Sequence, residues 1–259
     1  MQKNKLSRWI IFDHEDFSAK EYKEYLGDRC TLYKDEKELN TRTLTDGIAI
    51  PNIYRRGVKR SGLKSLASRV FDCADYYPHF PKESLLSGDH VLISWENLYA
   101  NPARMFDYFK TDHLFIRPNS GLKEFTGTTF HSKWAKSELD CIRSLPNSSI
   151  DDKILCLVSK ARPIQQEARF LVINNKVIDG SLYTENEGEY DKMLAAAKEF
   201  CKNHAGIYIL DVCMSDSVPY VVEINSFECS GLYSMDVKTV CDAVDKYYAK
   251  INSLLAPHG

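Results

Sequence analysis

IYILDVCMSDSVPYVVEINSFECSGLY, residues Ile207–Tyr233, is the stretch from which the rest of the chain is best read. Two β-like runs flank a polar turn near Ser215–Val218, the pattern of a hairpin. Side chains alternate faces along a strand, so Glu223 and Asn225 point the same way, and the hairpin is expected to bring Asp211 roughly opposite Glu223. Two carboxylates and an amide oxygen converging on one spot suit a hard cation such as Mg²⁺, above all when phosphate oxygens complete its octahedron. The plain alternative is a hairpin with polar side chains on a solvated face. Against it, Val221, Val222 and Ile224 surround Glu223 with a run that reads as buried, and carboxylates are seldom buried without a partner or a metal. The small-residue segment Ser226–Gly231 follows directly, in the kind of loop that commonly carries ligands.

The chain's 259 residues allow one large domain or a few small lobes. With 44% hydrophobic and 27% charged residues it reads as soluble and globular, and a net charge of −2 gives no global reason to bind nucleic acid or an anionic membrane. No apolar run approaches ~20 residues, so no membrane-spanning helix is expected. The N-terminus lacks a secretory pattern, and the eight cysteines form no C-x-x-C and read as reduced core thiols, so a cytoplasmic location is expected. The segment YRRGVKRSGLK, Tyr54–Lys64, is a local basic patch; such a run is more often a solvated face than a nucleic-acid surface.

Short apolar runs at Trp9–Phe12, Gly47–Tyr54 and His90–Trp95 alternate with helix-like stretches at Ser18–Leu26 and Leu63–Tyr76, which predicts a small α/β lobe over residues 1–100. A helix is expected at Ala103–Lys110, a strand at His113–Arg117 and a second strand at Lys123–Phe130. A helix capped by Ser132 should run through Leu145 with Trp134, Cys141, Ile142 and Leu145 near one face. Strands follow at Lys153–Ser159 and Ala168–Ile173, then a turn at Asn174-Asn175 into Val177–Tyr183. The clearest helical periods are Tyr190–His204 and Lys238–Leu254, whose apolar stripes are core rather than cofactor contacts.

The chain has neither a P-loop nor a G-x-G-x-x-G fingerprint. The candidate for holding phosphate is FIRPNSGLKEFTG, residues 115–127, where Arg117 ends one strand and Lys123 begins the next, with Gly121 and Gly127 bracketing a turn. Read alone, it is an ordinary hairpin with solvated cations.

VVEINSFECSG, residues 221–231, resembles the last core strand and following loop of the ATP-grasp superfamily. The ordered succession R-P with K-x-F-x-G (Arg117, Lys123, Phe125, Gly127), E-x-R (Glu167, Arg169), Asp211 and E-x-N is similar to that family over roughly residues 90–250. Most members carry lysine where Arg117 stands; a compact clade from phages and bacteria carries arginine there, which keeps the charge and presents a planar fork to phosphate oxygens. The resemblance implies an α+β ATP-grasp fold: two α+β subdomains, about 111–158 and 159–259 within a domain 101–259, preceded by the N-terminal lobe.

The resemblance also assigns roles. Asp211, Glu223 and Asn225 would hold one or two Mg²⁺ ions, with Mn²⁺ as an alternative. Arg117, Lys123, Glu167 and Arg169 would serve ATP, with Arg117 and Arg169 catalytic, and Leu157, Ser159, Lys160 and Ala161 would line the adenine edge. Ser226, Ser230 and Gly231 would face the transferred phosphate or the acceptor, and Arg104 is the residue at hand for an upstream phosphate lysine. The implied reaction is ADP-forming ligation of a carboxylate to an amine through an acyl phosphate, the partners being ATP and an amino acid, peptide or protein terminus. A nucleotide-binding module without chemistry and a kinase on the same scaffold are the alternatives.

Overall fold

The computed structural model describes residues 8–13, 19–34, 47–50, 71–145, 148, 150–183, 188–227 and 230–255. The basic segment Tyr54–Lys64, most of the expected helix Leu63–Tyr76 and Cys229 lie outside them. The chain forms two compact units, each discontinuous in sequence: Met1–Arg69 with Glu167–Val212 and Ile224–Gly259, and Val70–Gln166 with Cys213–Glu223. The lobes expected from sequence are contiguous; the compact units are not.

In the first unit, β1 (Arg8–Phe12) lies between β2 (Cys30–Tyr33) and β3 (Gly47–Ile50), parallel to both. Helix α1 (Ala19–Leu26) connects β1 to β2 and buries Ala19, Tyr22 and Leu26, the helical spacing of one apolar stripe. The long C-terminal helix Val237–Leu255 begins with Asp236, whose carboxylate accepts from Thr239 N at 2.7 Å, and buries Val240, Val244 and Tyr248 along one face. Trp9 is fully buried, packs edge-on against Phe227, and donates its indole N–H to Asp245 Oδ1 at 3.0 Å. Arg29 holds the other oxygen of Asp245 at 2.6 Å, so this buried carboxylate has partners on both oxygens. The same core takes in Leu171, Ile209 and Leu232.

In the second unit, β4 (His90–Ser94), β5 (His113–Pro118), β6 (Thr128–His131) and β7 (Leu155–Lys160) form a sheet of order β4-β7-β5-β6. Helices α2 (Cys73–Tyr76), α3 (Trp95–Ala100), α4 (Ala103–Phe109) and α5 (Ala135–Ser144) accompany it. Its core joins Trp95, Phe106, Phe125, Phe130 and Leu139. Helix α3 adds an element that the sequence reading lacks: the chain turns helical at Trp95, with the Ser94 hydroxyl accepting from Asn97 N.

The structure corrects three sequence expectations. The return strand begins at Thr128, not Lys123, because Lys123 sits at φ 52°, left-handed backbone that a strand excludes. Helix α5 buries Ala135, Leu139 and Ile142, whereas Trp134 is 55% exposed and Cys141 and Leu145 face outward. Trp134 belongs to the preceding 3-10 turn, which rotates it off the α-helical stripe. The helix expected over Tyr190–His204 is α-helical only over Tyr190–Phe200 (α6), followed by a 3-10 turn.

A further four-stranded sheet has the order β11-β10-β8-β9, built from β8 (Gln166–Ile173), β9 (Lys176–Leu182), β10 (Ile207–Ser215) and β11 (Val218–Asn225). Its hairpin turns are Asn174-Asn175 and Asp216-Ser217, all four with positive φ, as two-residue primed turns require. The Asn175 amide also donates to the carbonyls of Cys201, Lys202 and His204, which ties off the end of α6. The C-terminal helix Val237–Leu255 is α7.

Candidate functional site

Each unit carries a buried guanidinium gripped by a carboxylate. In the second unit Arg117, near the end of β5, donates Nη2 to Glu223 Oε2 at 2.5 Å, and Lys123 Nζ donates to Glu223 Oε1 at 2.9 Å. Burial works against the charge on Arg117, but Glu223 overrides it and holds the guanidinium pKa well above its ordinary value. The loop's three matched residues have separate jobs. Lys123 takes the left-handed turn, Phe125 plugs the core against Trp95, and Gly127 lies so close to Phe115 that a Cβ would sit 2.9 Å from the ring.

Beside Arg117 is a cavity of about 440 Å³ within this unit, of a size that suits a small ligand. Lys160 and Arg162 join Arg117 as cations in its wall, Thr128 and Thr129 add hydroxyls, and Phe115 and Ile164 add apolar surface. Arg162 is absent from the sequence-derived set, because K-A-R at a strand end carries no distinctive pattern. Its guanidinium lies 5.0 Å from the Tyr220 ring centroid. Arg104 is exposed on α4 and does not line this cavity.

Leu157, Ser159 and Lys160 lie on β7, and Ala161 follows it. Strand β7 is central, paired with both β4 and β5, so the ladder through these residues is occupied on both sides. The Ser159 hydroxyl donates to Ser87 Oγ at 3.0 Å, and Ala161 N donates to the His113 carbonyl at 3.1 Å. Lys160 is exposed and lines the cavity.

In the first unit Arg169 on β8 meets Asp211 on β10. Nε donates to Oδ1 and Nη2 to Oδ2, both at 2.8 Å, a bidentate fork. Burial opposes this charge too, and Asp211 overrides it, raising the Arg169 pKa further. Asn225 Nδ2 and the Tyr183 hydroxyl also donate to Asp211 Oδ2, at 3.0 and 3.3 Å. Arg169 Nη1 donates to the Gly231 carbonyl at 3.0 Å. Glu167, two residues before Arg169, accepts Tyr183 N at its own carbonyl at 3.0 Å.

Ser226 and Ser230 are buried, and the Ser230 hydroxyl donates to the Ser226 carbonyl at 2.8 Å. Of the three residues matched to the substrate loop, Gly231 meets Arg169 through its carbonyl.

The metal expectation is a matter of donor chemistry. Asp211 and Asn225 are buried, and Glu223 is mostly buried. All three carry hard oxygens, and Asn225 directs its amino group to Asp211, so its carbonyl oxygen is the atom of ligand kind. The set therefore fits Mg²⁺ in kind. Asp211 and Asn225 belong to the first unit and Glu223 to the second. Among the described residues no group of three or more His, Cys, Asp or Glu gathers as a metal site.

A family model for the ATP-grasp domain, the second family of its clade, matches residues 102–243. That is more than half of the chain, and the chain belongs to this ATP-grasp family. Solved structures with the same fold include D-cycloserine synthetase DcsG, with a TM-score of 0.59 and 9% identity over 92% of this chain and 98% of that one. D-alanine–D-alanine ligase from Bacillus anthracis aligns with a TM-score of 0.52 and 13% identity over 96% of each chain. The ATP-grasp ligase PsnB, solved with a phosphomimetic variant of its minimal precursor, Mg and ADP, aligns with a TM-score of 0.53 and 10% identity over 93% of this chain and 99% of that one. No curated protein matches the chain by sequence. The fold is thus ATP-grasp, α+β, as the sequence motifs imply. Among the described residues no helix is long and apolar enough to cross a membrane.

Proposed function

We propose that this protein is an ADP-forming carboxylate–amine ligase that uses ATP and Mg²⁺. The observation that carries the reading is the cavity of the second unit, where Arg117, Lys160 and Arg162 stand beside an apolar wall in an ATP-grasp chain. Lys160 and Arg162 bring positive charge for a polyphosphate to the wall beside Arg117, and Phe115 and Ile164 supply surface for a base. Arg117 and Lys123 neutralise phosphate oxygens, and Arg169 stabilises the charge that builds on the transferred phosphoryl group. Asp211, Glu223 and Asn225 are the Mg²⁺ ligands in this reading; the ion, when bound, draws charge from the phosphate oxygens.

The substrate carboxylate attacks the γ-phosphorus, giving an acyl phosphate and ADP. The amine then attacks the acyl carbon and phosphate leaves. The role of the chain is to align and neutralise these groups and to keep water from the acyl phosphate. An amino acid, a peptide or a protein terminus would supply the two reacting groups.

The test is an ATP-consumption screen over amino acids and peptides, read as ADP formed and as product mass. The expected product is one water lighter than the sum of its two substrates, with one ADP per bond and slow hydrolysis when no acceptor is present. A product that keeps a stable phosphate would make the protein a kinase instead.

A further inference from the structure

Arg169 has five N–H donors, and among the described residues three are engaged, two by Asp211 and one by Gly231. One N–H on Nη1 and one on Nη2 are left. Whether that pair can serve an incoming oxyanion depends on what fixes the plane of the guanidinium, and two tyrosines lie against it. Its Cζ is 5.1 Å from the ring centroid of Tyr183 and 5.2 Å from that of Tyr233. The rings touch each other, with centroids 4.8 Å apart and planes inclined at 51°, so they meet the arginine as the two arms of a V.

The arms are anchored differently. The Tyr183 hydroxyl donates to Asp211 Oδ2, so this residue touches both members of the ion pair. Burial and then Asp211 raise its phenol pKa, keeping it a neutral donor. Tyr233 has φ 50°, left-handed backbone that costs a bulky residue on the order of 1 kcal/mol or more. The residue is nonetheless 53% exposed. An exposed ring on strained backbone gains little from burial, and its described ring contacts are Tyr183 and Arg169.

We infer that Tyr183 and Tyr233 are positioning residues: they form an aromatic bracket that fixes the plane of Arg169 and presents its remaining N–H pair to an oxyanion, a carboxylate or phosphoryl oxygen of the reacting substrate. This rests on the ligase reading for its chemistry and on the geometry of the first unit for its structure.

The test uses the full chain, with Mg·ATP as the probe. The Arg169 Nε–H signal, identified by its loss in Arg169→Lys, is followed by nitrogen-15 NMR for exchange with water, alongside kcat and KM for ADP formation. Tyr233→Leu should speed that exchange and lower kcat by about tenfold with KM for ATP held within about twofold, the effect expected of one lost cation–π contact to a buried guanidinium. Tyr233→Phe keeps the ring and should restore both readings. Tyr183→Phe keeps the arm but loses the hydroxyl bond to Asp211, and should give a smaller fall in kcat. The bracket is overturned if Tyr233→Leu leaves exchange or kcat unchanged, or if KM alone rises. A wild type that neither binds Mg·ATP nor forms ADP overturns the ligase reading instead, and the exchange measurement alone then decides whether the tyrosines hold the arginine.

Discussion

Arg169 and Asp211, 42 residues apart, face each other through two 2.8 Å hydrogen bonds and are both buried. A buried pair of this kind is asymmetric: removing one partner leaves an uncompensated charge. Asp211→Ala should therefore destabilise the protein by about 3–5 kcal/mol, read as a lower midpoint in urea. An unchanged midpoint would mean that water reaches Arg169 freely.

Arg117 makes a separate prediction about chemistry. Arg117→Ala should abolish ATP-dependent turnover, and Arg117→Lys should keep part of it, since lysine retains the charge and loses the planar fork. Because Glu223 keeps Lys123 as a partner, the alanine variant should stay folded. Normal turnover by folded Arg117→Ala would move the phosphate site elsewhere.

Tyr22, Tyr76, Tyr77, Tyr183 and Tyr208 all have phenol pKa values raised, chiefly by burial. Above about pH 10 the unfolded chain loses these protons while the folded chain keeps them, so stability is full below that point and falls as pH rises beyond it. In an alkaline titration of the 15 tyrosines, phenolate absorbance should show a normal group and a late group that appears only with unfolding. A single smooth transition would contradict the burial described.

Cysteine labelling tests the same packing. Cys141 is the exposed thiol among the seven described cysteines; Cys156 is buried, with its pKa raised to about 12 by burial. Brief iodoacetamide treatment followed by peptide mapping should modify Cys141 and spare Cys73, Cys156 and Cys213. Only the thiolate reacts, and burial denies both ionisation and access.

What the sequence reveals and what it hides have physical reasons. The turns Asn174-Asn175 and Asp216-Ser217 are legible because few residues tolerate left-handed backbone in succession. The stripe of α7 is legible because burial repeats with the helical period. Helix α3 is only six residues long, too short for a period, and its one signal is the capping Ser94. Lys123 reads as a strand residue because its backbone sign is not written in its side chain. The residue types of the candidate site can be named in advance, but not their pairing. Arg117 and Glu223 lie 106 positions apart, and separation alone says nothing about contact. Tyr183 and Tyr233 give no signal, since single aromatics near loops are common.

The bond from Trp9 to Asp245 spans 236 positions of the chain. During synthesis, the first strand and helix leave the ribosome long before the segment that buries them exists. Trp9 and Tyr22 lack the core partners Phe227, Val240, Val244 and Tyr248 until that segment has been made. The second unit has all four strands of its β4-β7-β5-β6 sheet once β7 has emerged, so it can begin to organise earlier. The β1–α1 segment therefore waits for its partner while the second unit, made after it, is already able to organise.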